Sequence, residues 1–184
     1  GTSDFSAYLN NAVNAGCDVV FAPSATTYAS LIIDQAAAQN VSFPLMAGDT
    51  WENSVILDAA KGKNVDVYVS TFFAEDESNA AAVEFVSGFK AWLNENSDKL
   101  TNNGGNDIVA AVSVLGCDAY NVALAALEAT DSIDPAAIAA AMPSVTYTGI
   151  TGSIAFDENG DAKKDMAYIK KVNNESGEFE FVKT

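Results

Sequence analysis

The sequence has no histidine and no arginine. Its nine basic residues are all lysine, set against 25 acids for a net charge of −16. Without histidine, no Ser-His-Asp triad or Cys-His dyad can form within the chain. Without arginine, no guanidinium fork can clamp a carboxylate or phosphate. So few cations cannot neutralise a phosphate backbone or hold the chain on anionic lipid, which argues against nucleic acid and membrane surfaces as partners. Two cysteines, Cys17 and Cys117, are too few for a disulfide framework and read as two separate buried thiols. No apolar run approaches the roughly 18 to 20 residues of a membrane span. The opening Gly1-Thr2-Ser3-Asp4 is polar and not a signal peptide, so the leader of an exported parent would lie upstream or have been removed.

What is present suffices for a packed core: 184 residues, 49% hydrophobic and 18% charged, the size of one domain or of one and a half small lobes. Helix and strand alternate over the first part. Residues 4–15 read as a helix capped by Ser3 or Asp4 and ended by Gly16. Residues 18–22 read as an apolar strand covered on both faces. A helix over 27–39, a strand over 43–47, a helix over 51–60 and a strand over 65–71 follow. Such alternation predicts an α/β fold with a doubly wound parallel sheet, whose ligands bind beyond the carboxyl ends of the strands.

After that the pattern turns helical. Glu75, Asp76 and Glu77 read as a solvated linker, not an acid/base pair. A helix over 80–94 would turn Val83, Val86, Phe89 and Leu93 inward. A Gly-rich loop over 101–106, a long helix over 109–129 that Cys117 and Asp118 open, and an Asp134-Pro135 start to a last helix come next. Strands over 151–156, 166–172 and 178–182 then form a closing β-meander.

The two strand ends carry the candidate binding residues. Asp49 follows the second strand, where a carboxylate can accept charge-assisted hydrogen bonds from an ammonium group; it is equally placed to cap the next helix. Ser24, Ala25, Thr26 and Thr27 form the other corner, offering hydroxyls and free helix N–H groups, or a plain capped loop. Trp51 suits an apolar pocket wall or the packing beneath the loop. Asp157, Asn159 and Asp161 imitate the start of a calcium loop. Ala162 in place of glycine and Tyr168 in place of glutamate then break the pattern, leaving a hairpin turn and no metal site. Gly104-Gly105 follows no strand and lacks dinucleotide-loop spacing. With neither a phosphate loop nor a poised base, an enzyme on a Rossmann-like fold is disfavoured, and no cofactor is expected.

Four segments occur in an order that carries further meaning. They are Thr2-Ser3-Asp4-Phe5 with Asp18-Val19-Val20-Phe21; Met46-Ala47-Gly48-Asp49-Thr50-Trp51; Asp118-Ala119-Tyr120 with Ser132-Ile133-Asp134-Pro135; and the run from Tyr147 through Gly149, Gly152 and Phe156 to Asp161. Together they resemble the extracellular ligand-binding receptors, the type I periplasmic binding proteins of branched-chain amino acid ABC transporters, over the C-terminal half of such a protein. The resemblance implies two α/β lobes closing on a small ligand. Residues 1–74 would be part of lobe two, 75–145 the helical return segment of lobe one, and 146–184 the final crossover and closing strands of lobe two. It implies an acid at Asp49 for the ligand's ammonium. An aromatic near Ala25 and a cleft-facing tyrosine at Cys117 are replaced here. The ligand's carboxylate would be held by lobe-one segments outside this chain. The implied role is an extracytoplasmic solute-binding component serving a membrane permease, or a ligand-sensing receptor domain of the same fold. A homodimer or an element swap would cover apolar surface left by the absent parts.

Overall fold

The computed structural model describes residues 2–75, 79–164 and 166–184. Asp76 and Glu77 of the expected linker lie outside the described residues; the carboxylate of Glu75 takes a hydrogen bond from Lys90 at 3.0 Å.

A five-stranded sheet organises the chain, three parallel strands continued at one side by two antiparallel ones. β1 (Val20–Phe21), β2 (Leu45–Ala47) and β3 (Val67–Thr71) run parallel, with Val20 opposite Leu45 and Leu45 opposite Val67. β6 (Tyr168–Asn173) adds antiparallel to β3, and β7 (Glu178–Lys183) to β6. The closing strands are antiparallel, but they divide between two sheets. β5 (Gly152–Ile154) pairs back on β4 (Tyr147–Gly149), while β6 and β7 extend the main sheet.

The parallel strands β2 and β3 turn every second residue into the core, and Leu45, Ala47, Val67 and Val69 are all 0% exposed. They pack with α1 (Ser6–Asn14), α2 (Thr26–Ala38) and α3 (Ser54–Ala60) in one core that includes Leu9, Ile33, Ile56 and Trp51. β1 departs from expectation. It is short, it forms the sheet's edge, and Phe21 is 61% exposed, so it is not covered on both faces.

A second core joins Phe73 to α4 (Ala80–Glu95) and α6 (Ala111–Thr130) through Ala82, Val109 and Val114. The buried face of α4 starts at Ala82 and ends at Leu93, with Phe85, Val86 and Phe89 between. That phase turns Val83 outward, against the sequence expectation. A short helix, α5 (Ser97–Asn102), follows α4 and takes up the first two residues of the expected Gly-rich loop over 101–106. α7 (Pro135–Ala141) begins as anticipated, with the carboxylate of Asp134 accepting from the Ala136 N–H at 3.1 Å. It packs with α6 and the β4–β5 hairpin around Val122, Ala126 and Ile154.

α6 begins at Ala111, so Cys117 and Asp118 sit inside it and do not open it. By length and composition α6 is apolar enough to cross a membrane, contrary to the sequence expectation. Its Asp118 is nevertheless 1% exposed and bound within the protein. Asp118 accepts from the Ile150 N–H (2.8 Å), the Thr151 N–H (2.8 Å) and the Thr151 hydroxyl (2.7 Å), anchoring the β4–β5 turn. Gly149 is required there, because a Cβ would lie within 2.6 Å of the Asp118 carboxyl. Both cysteines are free, but only Cys117 is even half-buried. Cys17 is exposed, because it sits in the turn after Gly16, outside the sheet.

Candidate functional site

β1 and β2 are parallel neighbours, so their carboxyl ends bring two corners side by side. The chain leaves β1 through Ala22 to Ala25 and enters α2 at Thr26; it leaves β2 through Gly48 into a 3-10 turn, Asp49–Trp51. Side chains then stitch the corners together. The Trp51 indole N–H donates to the Ser24 carbonyl at 2.9 Å, and the Thr50 hydroxyl approaches the same oxygen at 3.4 Å. The Thr26 hydroxyl donates to the Thr50 carbonyl at 3.2 Å. The Asn53 amide nitrogen donates to the Thr50 carbonyl at 2.9 Å and to the Thr26 hydroxyl at 3.3 Å, while its oxygen caps α3 by accepting from the Val55 N–H.

That arrangement leaves Asp49 out of the helix cap. Asn53 is the cap of the following helix, and the turn that Asp49 begins has no side-chain cap. Among the described residues none donates a hydrogen bond to the Asp49 carboxylate. Asp49 lines a cleft of about 430 Å³ with Thr26, Thr50 and Asn53 from the two corners, and with Asn106 and Ser113 from the loop and helix start beyond α5. Gly104, in the same lining, has φ +82° and packs against the Ser54 hydroxyl, where any side chain would overlap.

The remaining sequence candidates fall around this cleft. Trp51 is 0% exposed and serves as packing beneath the corner. Ser24 contributes its carbonyl, and its hydroxyl is enclosed without a hydrogen-bond partner among the described residues. Ala25 and Thr27 are exposed and outside the cleft lining. Cys117 lies one helical turn past Ser113 on α6; its carbonyl accepts from the Asn121 amide at 3.0 Å, and it too is outside the lining. The structure therefore joins Asp49 and Thr26 in one cleft and places Ser24 and Trp51 behind them.

Sequence reasoning missed Asn53, Asn106 and Ser113, and it missed Glu52. The Glu52 side chain is buried at the floor of the cleft. One carboxylate oxygen pairs with Lys170; the other accepts from the Thr71 hydroxyl at 2.7 Å and from the Ala111 N–H at 3.0 Å. A second cavity of about 400 Å³ lies on the other side of Glu52, and its Glu75 and Glu52 are already paired with Lys90 and Lys170. Among the described residues, no group of three or more Cys, Asp or Glu side chains is placed to hold a metal ion. Asp157, of the calcium-like run, instead accepts from the Asn159 and Asp161 N–H groups. These bonds close a turn and hold its carboxyl below the usual aspartate range.

The profile of a periplasmic binding protein family matches residues 1–177. Among solved structures, a leucine-binding protein, LivK, of Thermotoga maritima superposes with a TM-score of 0.74 at 28% identity, covering 99% of this chain and 48% of that one. An ABC transporter substrate-binding protein of Desulfitobacterium hafniense, solved in complex with leucine, superposes at 0.70 with 25% identity, covering 99% and 49%. A type 1 periplasmic binding protein of Bordetella pertussis, at 20% identity, shares the fold with a TM-score of 0.75, covering 100% and 50%. The chain thus spans about half the length of the structures it matches. Among curated protein sequences none matches.

Proposed function

Because the chain belongs to the periplasmic binding protein family, we propose that it forms part of the solute-binding cleft of an ABC transporter receptor that works outside the cytoplasm. The ligand is a small aliphatic amino acid, leucine, isoleucine or valine being the first candidates, and the receptor presents it to a membrane permease after hinge closure. In this reading residues 1–74 and 146–184 belong to lobe two and 75–145 to lobe one.

The observation that carries the reading is the Asp49 carboxylate, unpartnered among the described residues in the cleft between the two strand-to-helix corners on one side and the start of α6 on the other. An ammonium group there gains a charge-assisted hydrogen bond worth about 1.5–3 kcal/mol, roughly a 10- to 150-fold effect on affinity. The solved relative bound to leucine supports the choice of ligand class. The open edge at β1, with Val19 and Phe21 exposed, supports pairing with a further strand, from a second copy or from another part of the receptor.

Titration of the two-lobed receptor that contains this chain, isotope-labelled, with leucine, isoleucine and valine, read from backbone amide shifts, tests the proposal. Shifts are expected at Asp49, Thr50 and Ser113, weakened at least tenfold by Asp49→Asn with the melting temperature unchanged. No shifts with any of the three, or an Asp49→Asn variant that binds as well as the parent, would remove the reading.

A further inference from the structure

We propose that Glu52 is a positioning residue of the cleft, holding the start of α6 at a fixed distance from the Asp49 corner. The inference rests on the cleft being the ligand site. Glu52 follows the 3-10 turn that carries Asp49 and is 3% exposed. Its partners come from three distant segments: Thr71 at the end of β3, Ala111 at the start of α6 and Lys170 in β6, which are 19, 59 and 118 residues away in sequence.

The bond to Ala111 is the informative one. A helix begins with N–H groups that have no partner inside it, and a Ser, Thr, Asp or Asn side chain at the preceding position usually accepts one. α6 is preceded by Ala110, which has no such group. Glu52 supplies the missing acceptor from across the cleft floor, and its charge lies at the positive end of a 20-residue helix. Lys170 and Thr71 occupy the rest of the carboxylate, so it cannot swing away from Ala111.

The lining residues Val112 and Ser113 follow Ala111 directly, and Asp49 lies three residues before Glu52. One side chain thereby sets the spacing of the two sides that would face the ligand. An ion pair kept for stability alone does not need this geometry, since buried pairs are often replaced by apolar residues at no loss. The backbone acceptor is what an apolar replacement cannot supply.

The test places spin labels on α3 and α6 through Asp58→Cys and Tyr120→Cys, both exposed positions, with Cys17→Ser and Cys117→Ser in the background. A single narrow distance is expected in the parent. Glu52→Gln with Lys170→Met keeps an oxygen for the Ala111 N–H and preserves that distance. Glu52→Leu with Lys170→Met, folded by circular dichroism, shifts or broadens it and weakens leucine-induced amide shifts at least tenfold. An unchanged distance in the folded leucine variant overturns the proposal. Should that variant not fold, hydrogen exchange in the unaltered chain decides. An Ala111 amide at least tenfold slower than that of Val112 upholds the proposal, and equal rates overturn it. The distance and exchange readouts need no ligand, so they stand or fall separately from the leucine reading.

Discussion

Replacing Asp118 by alanine removes the anchor of the β4–β5 turn. Three donors lose their acceptor: the Ile150 and Thr151 N–H groups and the Thr151 hydroxyl. A buried donor left unpaired costs about 1–3 kcal/mol. Ile150 and Thr151 are only half-buried, so water recovers part of this and the net loss should be about 2–4 kcal/mol. For a chain of this size each kcal/mol moves the melting temperature by roughly 2–4 °C, giving a fall of roughly 4–16 °C. Gly149→Ala should cost a similar amount by a different route, since its methyl group overlaps the same carboxyl. The two changes should therefore be far from additive, the double variant being more stable than the sum by at least about 1 kcal/mol. Urea and thermal unfolding of the parent, both single variants and the double variant form the assay. An Asp118→Ala chain within about 0.5 kcal/mol of the parent, or an additive cycle, would refute the reasoning.

Three further outcomes are expected. Gly104→Ala should destabilise the chain by about 1–3 kcal/mol, because φ +82° is strained for alanine and its methyl overlaps the Ser54 hydroxyl; Ser54→Ala should recover part of the loss in chemical denaturation. Trp51→Phe removes the indole bond to Ser24 and should cost about 2 kcal/mol, while the blue-shifted emission of the enclosed Trp51 vanishes and that of the 44% exposed Trp92 remains. The Asp157 carboxyl, held in its ionised form by two N–H groups, should titrate below the usual aspartate value of 3.8 in a carbon-detected pH series. Because its folded value lies below the unfolded one, its stabilisation is present above the unfolded value and lost as the pH falls through the folded one. Asp157→Ala should therefore be less stable than the parent near neutrality, with the difference closing in acid.

The alternation of strands and helices was legible because β2 and β3 bury every second residue completely, and those positions carry Leu45, Ala47, Val67 and Val69 between short turn segments. The edge strand β1 misled, since Phe21 looks no different from a core residue until its neighbours are known. At the candidate site, the strand-end rule singled out Asp49 and Thr26, and both line one cleft. It did not find Glu52, because an acid after Trp51 in an expected helix reads as solvent-facing; its burial depends on a lysine 118 residues further on. Asn53 was hidden by the same expected helix, although an Asn followed by Ser-Val-Ile-Leu is a usable cap signal. Asp118 read as the opening of a helix because its true partners, in the turn 32 and 33 residues later, leave no local trace.

The burial of Asp118 in a helix that is mostly apolar has a bearing on export of such a chain. A chain exported unfolded is exposed to lipid segment by segment, and among the described residues α6 is the helix long and apolar enough to cross a membrane by length and composition. An aspartate near the centre of such a segment raises the cost of sideways release into lipid by about 2.5–3.5 kcal/mol. In a chain exported that way, the carboxylate that fastens the β4–β5 turn after folding would also oppose retention in lipid before it.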